Sequence, residues 1–156
     1  MSEQSPNGPA TLRGVHHVGI PVRNLERSLA WYRDLFGIEP DFTVEAEGDD
    51  TSAAVQLEDA RITAAFLTVG NTILELLEYH HPRGEDFSLR NCDVGAVHVC
   101  LEVESVDAAY ERLRSSGAEF SAAPATIPEG PLAGHRFAYF RDPDGVQFEL
   151  FEKPGS

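Results

Sequence analysis

The sequence predicts an α+β fold: two βαβββ modules forming one curved mixed sheet, a cup with its helices on the outside. Three observations predict it. Apolar residues alternate in short runs, as half-buried strands require. Two longer stripes recur at helical spacing, each bounded by cap residues. The chain also repeats itself: His17-Val18-x-Ile20-x-Val22 matches His98-Val99-x-Leu101-x-Val103, and Leu74-Glu75-Leu76-Leu77-Glu78 matches Phe148-Glu149-Leu150-Phe151-Glu152. Self-similarity on this scale marks a duplicated supersecondary unit.

Taken in order, residues 1–13 are polar and rich in Pro, Gly and Ser, the composition of a disordered tail. The first module is expected over residues 14–80 and the second over 94–153, the two forming one domain. Val15 to Val22 reads as a strand, closed by Asn24, a good N-cap. Leu25, Leu29, Tyr32 and Phe36 then make a helical stripe, with Gly37 where a left-handed C-terminal residue belongs. Asp41 to Glu45 reads as a strand, and Glu47-Gly48-Asp49-Asp50 as a solvated acidic loop. Arg61 to Val69 and Thr72 to Tyr79 are strands around the hairpin turn Gly70-Asn71. In the second half Ala96 to Val103 is a strand, and Ser105 caps a helix carrying Val106, Ala109, Tyr110 and Leu113 that ends at Gly117. Glu119 to Ala122 is a short strand, and Ala123 to Ala133, with its prolines, a loop. His135 to Phe140 and Val146 to Phe151 are strands joined through Asp142-Pro143-Asp144-Gly145, where Pro fixes φ and Gly supplies a positive one.

Composition narrows the partners. The 156 residues hold 26 acidic and 12 basic side chains, a formal charge of -14, which repels phosphate backbones and anionic lipid. Neither nucleic acid nor a membrane is expected as a partner. No apolar run approaches the roughly 20 residues of a membrane span, the N-terminus lacks a secretory pattern, and Cys92 and Cys100 make no disulfide framework. Cytoplasmic residence is the expectation.

Alternation along the strands sorts their faces. Val18, Ile20 and Val22 share one face, with His17 opposite beside Gly19; Val97, Val99, Leu101 and Val103 share another, with His98 opposite beside Ala96 and Cys100. Glu75 and Glu149 likewise lie opposite the leucines and phenylalanine that flank them. Two imidazoles and two carboxylates therefore point away from the helix-packed faces, toward the concave side of the sheet. Such groups are costly on a half-buried surface unless paired or bound to metal. The donor set suits a divalent Ni, Co, Mn, Zn or Fe ion better than Ca.

These residues carry a resemblance. His16-His17-Val18-Gly19-Ile20-Pro21-Val22, Trp31-Tyr32-Arg33-Asp34-Leu35-Phe36-Gly37, Asn71 to Tyr79, His98 to Val103, and Phe140-Arg141-Asp142-Pro143-Asp144-Gly145 through Glu149 resemble the vicinal oxygen chelate superfamily of glyoxalases, bleomycin-resistance proteins and extradiol dioxygenases. The similarity is greatest to its glyoxalase I and methylmalonyl-CoA epimerase branches. It implies metal ligands His17, Glu75, His98 and Glu149. It also implies proton transfer next to a carbonyl with a metal-stabilised enolate, in an isomerase, epimerase or lyase. Glu149 is the first candidate for the proton-carrying carboxylate, with Glu75 and His135 as the other catalytic candidates. Small-molecule substrate and a homodimer are implied as well. Two alternatives stand beside this one: an Fe(II) extradiol-type dioxygenase using His17, His98 and Glu149, in which His135 and Tyr139 would meet oxygen and catechol, and a metal-free binding or resistance protein.

Other polar residues are read locally. His16 faces away from His17, His80-His81-Pro82 reads as a rim loop, and Glu58 and Asp59 precede the third strand. Arg61, Arg83, Arg136 and Arg141 are the candidates for an anionic substrate, Arg141 more naturally belonging to its turn. Phe42, Phe66, Tyr79, Phe137 and Phe151 could line a cup.

Overall fold

A computed structural model describes residues 12–86 and 89–155; the expected tail falls almost wholly outside them. The chain runs β1 (His17–Val22), α1 (Leu25–Phe36), β2 (Phe42–Glu47), α2 (Asp49–Val55), β3 (Arg61–Val69), β4 (Thr72–His81), β5 (His98–Glu102), α3 (Val106–Ser115), β6 (Glu119–Phe120), β7 (Ala125–Thr126), β8 (Arg136–Arg141) and β9 (Gln147–Glu152). The α+β class and both βαβββ modules are present. Hydrogen bonding resolves two sheets where one continuous sheet was expected: β1-β4-β3-β2 and β5-β9-β8-β6, with the short β7 also pairing β8. In each, the first strand of the module lies parallel to the last, β1 on β4 and β5 on β9. The remaining neighbours run antiparallel.

Local chemistry explains the helix boundaries. The Asn24 side chain accepts the Arg27 N–H at 2.8 Å, and Ser105 accepts that of Ala108 at 3.2 Å. Gly37 ends α1 at φ 68°, a conformation that costs a residue with a Cβ. A second cap repeats between the modules. Glu78 accepts the Leu25 N–H at 2.8 Å and Glu152 that of Val106 at 2.7 Å, so a carboxylate from each last strand sits at a helix N-terminus, where the dipole favours it. The acidic stretch after β2 is a short helix, α2, and not the open loop expected. Asp49 and Asp50 occupy its first turn, again on the favourable side of the dipole.

One core joins the modules. Ile20, Val22, Leu74, Leu76, Ala65 and Leu67 come from the first sheet; Ala138, Phe140, Phe148 and Leu150 come from the second. Helix α1 reaches both. Its Trp31 stacks on Phe140 with ring centroids 6.4 Å apart, and Tyr32 meets Phe148 edge-on at 6.1 Å. Arg27 forms an ion pair with Asp144 in the β8–β9 turn, and the Ser28 hydroxyl donates to the same carboxylate at 3.3 Å. No helix among the described residues is long and apolar enough to cross a membrane.

Candidate active site

Each module carries one imidazole–carboxylate pair on the face turned away from that core. His17 Nε2 stands 3.1 Å from Glu75 Oε2, and His98 Nε2 stands 3.1 Å from Glu149 Oε2. The parallel pairing of first and last strands produces both. It sets Gly19 opposite Glu75 and Cys100 opposite Glu149, with each histidine two residues earlier on the same face. The imidazoles are open, 41% and 44% exposed, and the carboxylates deep, 16% and 12%.

The four residues form two pairs and not one cluster. Among the described residues no three His, Cys, Asp or Glu side chains gather closely enough to share a cation. Sequence reasoning expected all four on one concave surface, and the docking of the modules explains the difference. Both sheets turn their helix-packed faces to the shared core, so their polar faces look outward as separate half-cups. The outer face of the first sheet is apolar around its pair. Phe42 stacks on Phe66 at 4.6 Å, and Phe66 meets the His17 ring edge-on at 6.1 Å. Phe42 is nonetheless 53% exposed and Val44 41%, an apolar surface that calls for a cover. On the second sheet Tyr139 stands opposite Glu149 in register, and its ring meets His98 at 5.3 Å.

Two proton-bearing groups lie against Glu149. Cys100 on β5 and Tyr139 on β8 are its register neighbours on either side. Burial, reinforced by that negative charge, raises the tyrosine above its ordinary range and pushes the thiol up to about 12. Cys100 is therefore no nucleophile at neutral pH.

His135 lies at the rim of the second half-cup, its ring 5.0 Å from that of Phe151. Its Nδ1–H donates to the Leu132 carbonyl at 2.9 Å, which leaves Nε2 as the available ring nitrogen. His16 lies beside His17, the two Nδ1 atoms 2.8 Å apart. His80 and His81 close β4 instead of forming a loop; they bond Thr63 Oγ1 at 2.8 Å and the Asp59 carbonyl at 3.1 Å. Arg136 is paired with Asp107, and Arg141 donates to the Gly145 carbonyl at 2.7 Å, as its place in the turn suggested. Arg83 and Tyr79 line an open cleft of about 600 Å³ with Val18, Ile20, Val97 and Val99. None of the four His and Glu residues lines that cleft. The residues that sequence reasoning missed are Tyr139 as a neighbour of Glu149 and the capping pair Glu78 and Glu152. The offset of 74 that aligned Glu75 with Glu149 aligns the caps as well.

The architecture and the paired histidines and glutamates define a class. The chain belongs to the Glyoxalase/Bleomycin resistance protein/Dioxygenase superfamily, which residues 14–150 match. Over 146 residues it is 38% identical to a 2-epi-5-epi-valiolone epimerase of Actinomyces sp., covering 90% of this chain and 79% of that protein. Over 109 residues it is 38% identical to an ethylmalonyl-CoA/methylmalonyl-CoA epimerase of Cereibacter sphaeroides, covering 67% and 71%. In fold it resembles a glyoxalase family protein from Bacillus cereus, with a TM-score of 0.78 at 21% identity over 94% of this chain and 97% of the other. A fosfomycin resistance protein from Listeria monocytogenes complexed with Mn(II) shares the fold at a TM-score of 0.60 and 20% identity, over 94% and 95%.

Proposed function

We propose that this protein is a divalent-metal-dependent epimerase or isomerase that moves a proton at a carbon next to a carbonyl. In this reading the ion is held by His17 and Glu75 of one chain and by His98 and Glu149 of a second copy. The duplicated pair carries the proposal. Each Nε2···Oε2 separation is 3.1 Å, so the imidazole and carboxylate of each pair stand close enough that both would meet one ion. Two imidazoles and two carboxylates also form a donor set for a first-row divalent ion. When bound, such an ion supplies Lewis acidity toward substrate oxygens.

The chain's own residues supply the rest. Glu75 and Glu149 are the carboxylates able to take up and return the substrate proton. Phe42, Phe66, Phe137 and Phe151 wall the half-cups. His135, with Nε2 available at the rim, can orient a substrate oxygen or relay a proton. The epimerase names of two relatives support the reaction class. Arg136 is committed to Asp107 and Arg141 to its turn, so of the four arginines that could meet an anionic substrate Arg61 and Arg83 remain.

A second copy fits because each chain exposes one complementary half-cup of each kind, so a twofold dimer closes two composite sites. Mixing two disabled chains tests this. One carries His17→Ala with Glu75→Gln, the other His98→Ala with Glu149→Gln. Each alone is expected to hold no Mn(II), whereas the mixture, after subunit exchange, regains about a quarter of the unaltered protein's sites. A mixture that stays empty, or an unaltered protein that takes up no Mn(II), overturns the proposal.

A further inference from the structure

The two sheets repeat one frame, and the side chains around its His–Glu pair differ in polarity. On the first sheet Glu75 lies level with Phe66 of β3, and Phe66 lies level with Phe42 of the edge strand β2. Two residues to either side of Glu75, on the same face, stand Ile73 and Leu77. On the second sheet Tyr139 takes the place of Phe66, and Gln147 that of Ile73. The first floor is thus hydrocarbon around its carboxylate. Leu77 is close to it: a Cβ added at Gly19 would meet Leu77 Cδ1 at 3.4 Å and Glu75 Oε2 at 3.6 Å, so both lie against that one residue. The Thr68 hydroxyl, level with His17 through Ile73, is committed to Asp41 at 2.7 Å. From the pair outward the wall continues without a break. The Phe66 ring meets His17 at 6.1 Å and stacks on Phe42 at 4.6 Å, and Phe42 is 53% exposed. With strands about 4.8 Å apart, the Phe66 and Phe42 positions lie roughly 5 and 10 Å along the face from Glu75.

From this asymmetry we infer the substrate class: a carbonyl compound with an alkyl or aryl substituent, seated on Phe66 and Phe42 of one copy while its oxygens turn toward the more polar floor of the other. A hydroxyl laid on the first floor gives up its hydrogen bonds to water and finds no partner, whereas an apolar group gains by leaving water. Phe66 is the specificity-determining residue for a short substituent, and Phe42 extends the same wall for a longer one. The assignment rests on the composite metal site proposed above and names what that site takes.

The test reads binding by calorimetry. Mn(II) uptake is measured first and by itself. The loaded protein is then titrated with aceto-, butyro- and hexanohydroxamic acids, which chelate divalent ions through two oxygens, and with gluconohydroxamic acid, a polyol with the same number of carbons as the longest of them. Each step up the alkyl series is expected to tighten binding by about tenfold or more. Gluconohydroxamic acid is expected to bind no tighter than acetohydroxamic acid. Phe66→Ala is expected to erase both gains, and Phe42→Ala, at an exposed position, only the second. The series on the unaltered protein needs no variant and stands even where Phe66→Ala does not fold. Affinity that ignores chain length, a polyol bound as tightly as the alkyl chain of equal length, or gains that survive both substitutions overturns this assignment and leaves the metal site standing. Failure of the unaltered protein to take up Mn(II) removes the site and this assignment together.

Discussion

Asp142 offers the sharpest test of the packing described above. It lies in the β8–β9 turn, 6% exposed. Its Oδ1 accepts the N–H groups of Asp144 at 2.9 Å and Val146 at 2.8 Å, while Oδ2 is buried with no hydrogen-bond partner. Burial is the main cause that raises its carboxyl from 3.8 to about 6, against the pull of those two N–H groups. The native state therefore binds more protons than the unfolded chain between these two values, so stability falls as pH rises through that window and levels off above it. At about 1.4 kcal/mol per unit, a shift of roughly 2 units costs about 3 kcal/mol at pH 7.5. Asp142→Asn keeps the Oδ1 acceptor and removes the charge. It is expected to stabilise the protein by about 1–3 kcal/mol at pH 7.5, each kcal/mol raising the melting temperature by about 2–4 °C at this chain length. The gain should shrink as pH falls through 6 and vanish near 4. Urea unfolding of both proteins at pH 4, 5, 6 and 7.5, at one fixed protein concentration, measures the difference. A variant less stable than the parent at pH 7.5, or a gap that ignores pH, refutes the reasoning.

Further outcomes follow from the fold. Leu76→Ala empties a fully buried position on the core face of β4 and should cost about 2–5 kcal/mol in denaturant unfolding. Glu152→Gln keeps an acceptor for the Val106 N–H but removes the charge at the start of α3; a loss of about 0.3–1 kcal/mol is expected, shrinking as salt is added. Glu152→Ala removes both and should cost about 1–2 kcal/mol, read by the same unfolding curves.

Local chemistry was legible in the sequence where a few neighbouring residues decide the outcome. Asn24, Gly37 and Ser105 cap helices as their spacing indicated. Gly70, at φ 57°, turns the first hairpin. The alternation that separated His17 from Val18 and His98 from Val99 put each histidine on the polar face, and the parallel pairing of first and last strands seen in the structure brings it to its glutamate. Helix α2 escaped notice because its seven residues bury nothing and so show no apolar period, although Asp49 and Asp50 are good first-turn residues and Ala53-Ala54 good interior ones. The docking of the modules was not legible at all. It depends on Trp31 and Tyr32 of α1 meeting Phe140 and Phe148, more than 100 residues away, and no local pattern encodes which faces meet.

That docking traces to a difference between the two halves of the repeat. The first module joins its last two strands by the tight turn Gly70-Asn71. The second joins them by Asp142-Pro143-Asp144-Gly145, with Gly145 at φ 83°. This longer turn projects Asp144 onto Arg27 and Ser28 at the start of α1. Burial raises the Asp142 carboxyl that braces the turn, yet its Oδ1 fixes the N–H groups of Asp144 and Val146. The clamp on α1 adds to the packing of Trp31 and Tyr32 on Phe140 and Phe148 at the same junction. A chain folded this way keeps its two His–Glu pairs apart. In the proposed chemistry a second copy supplies the other half of each site.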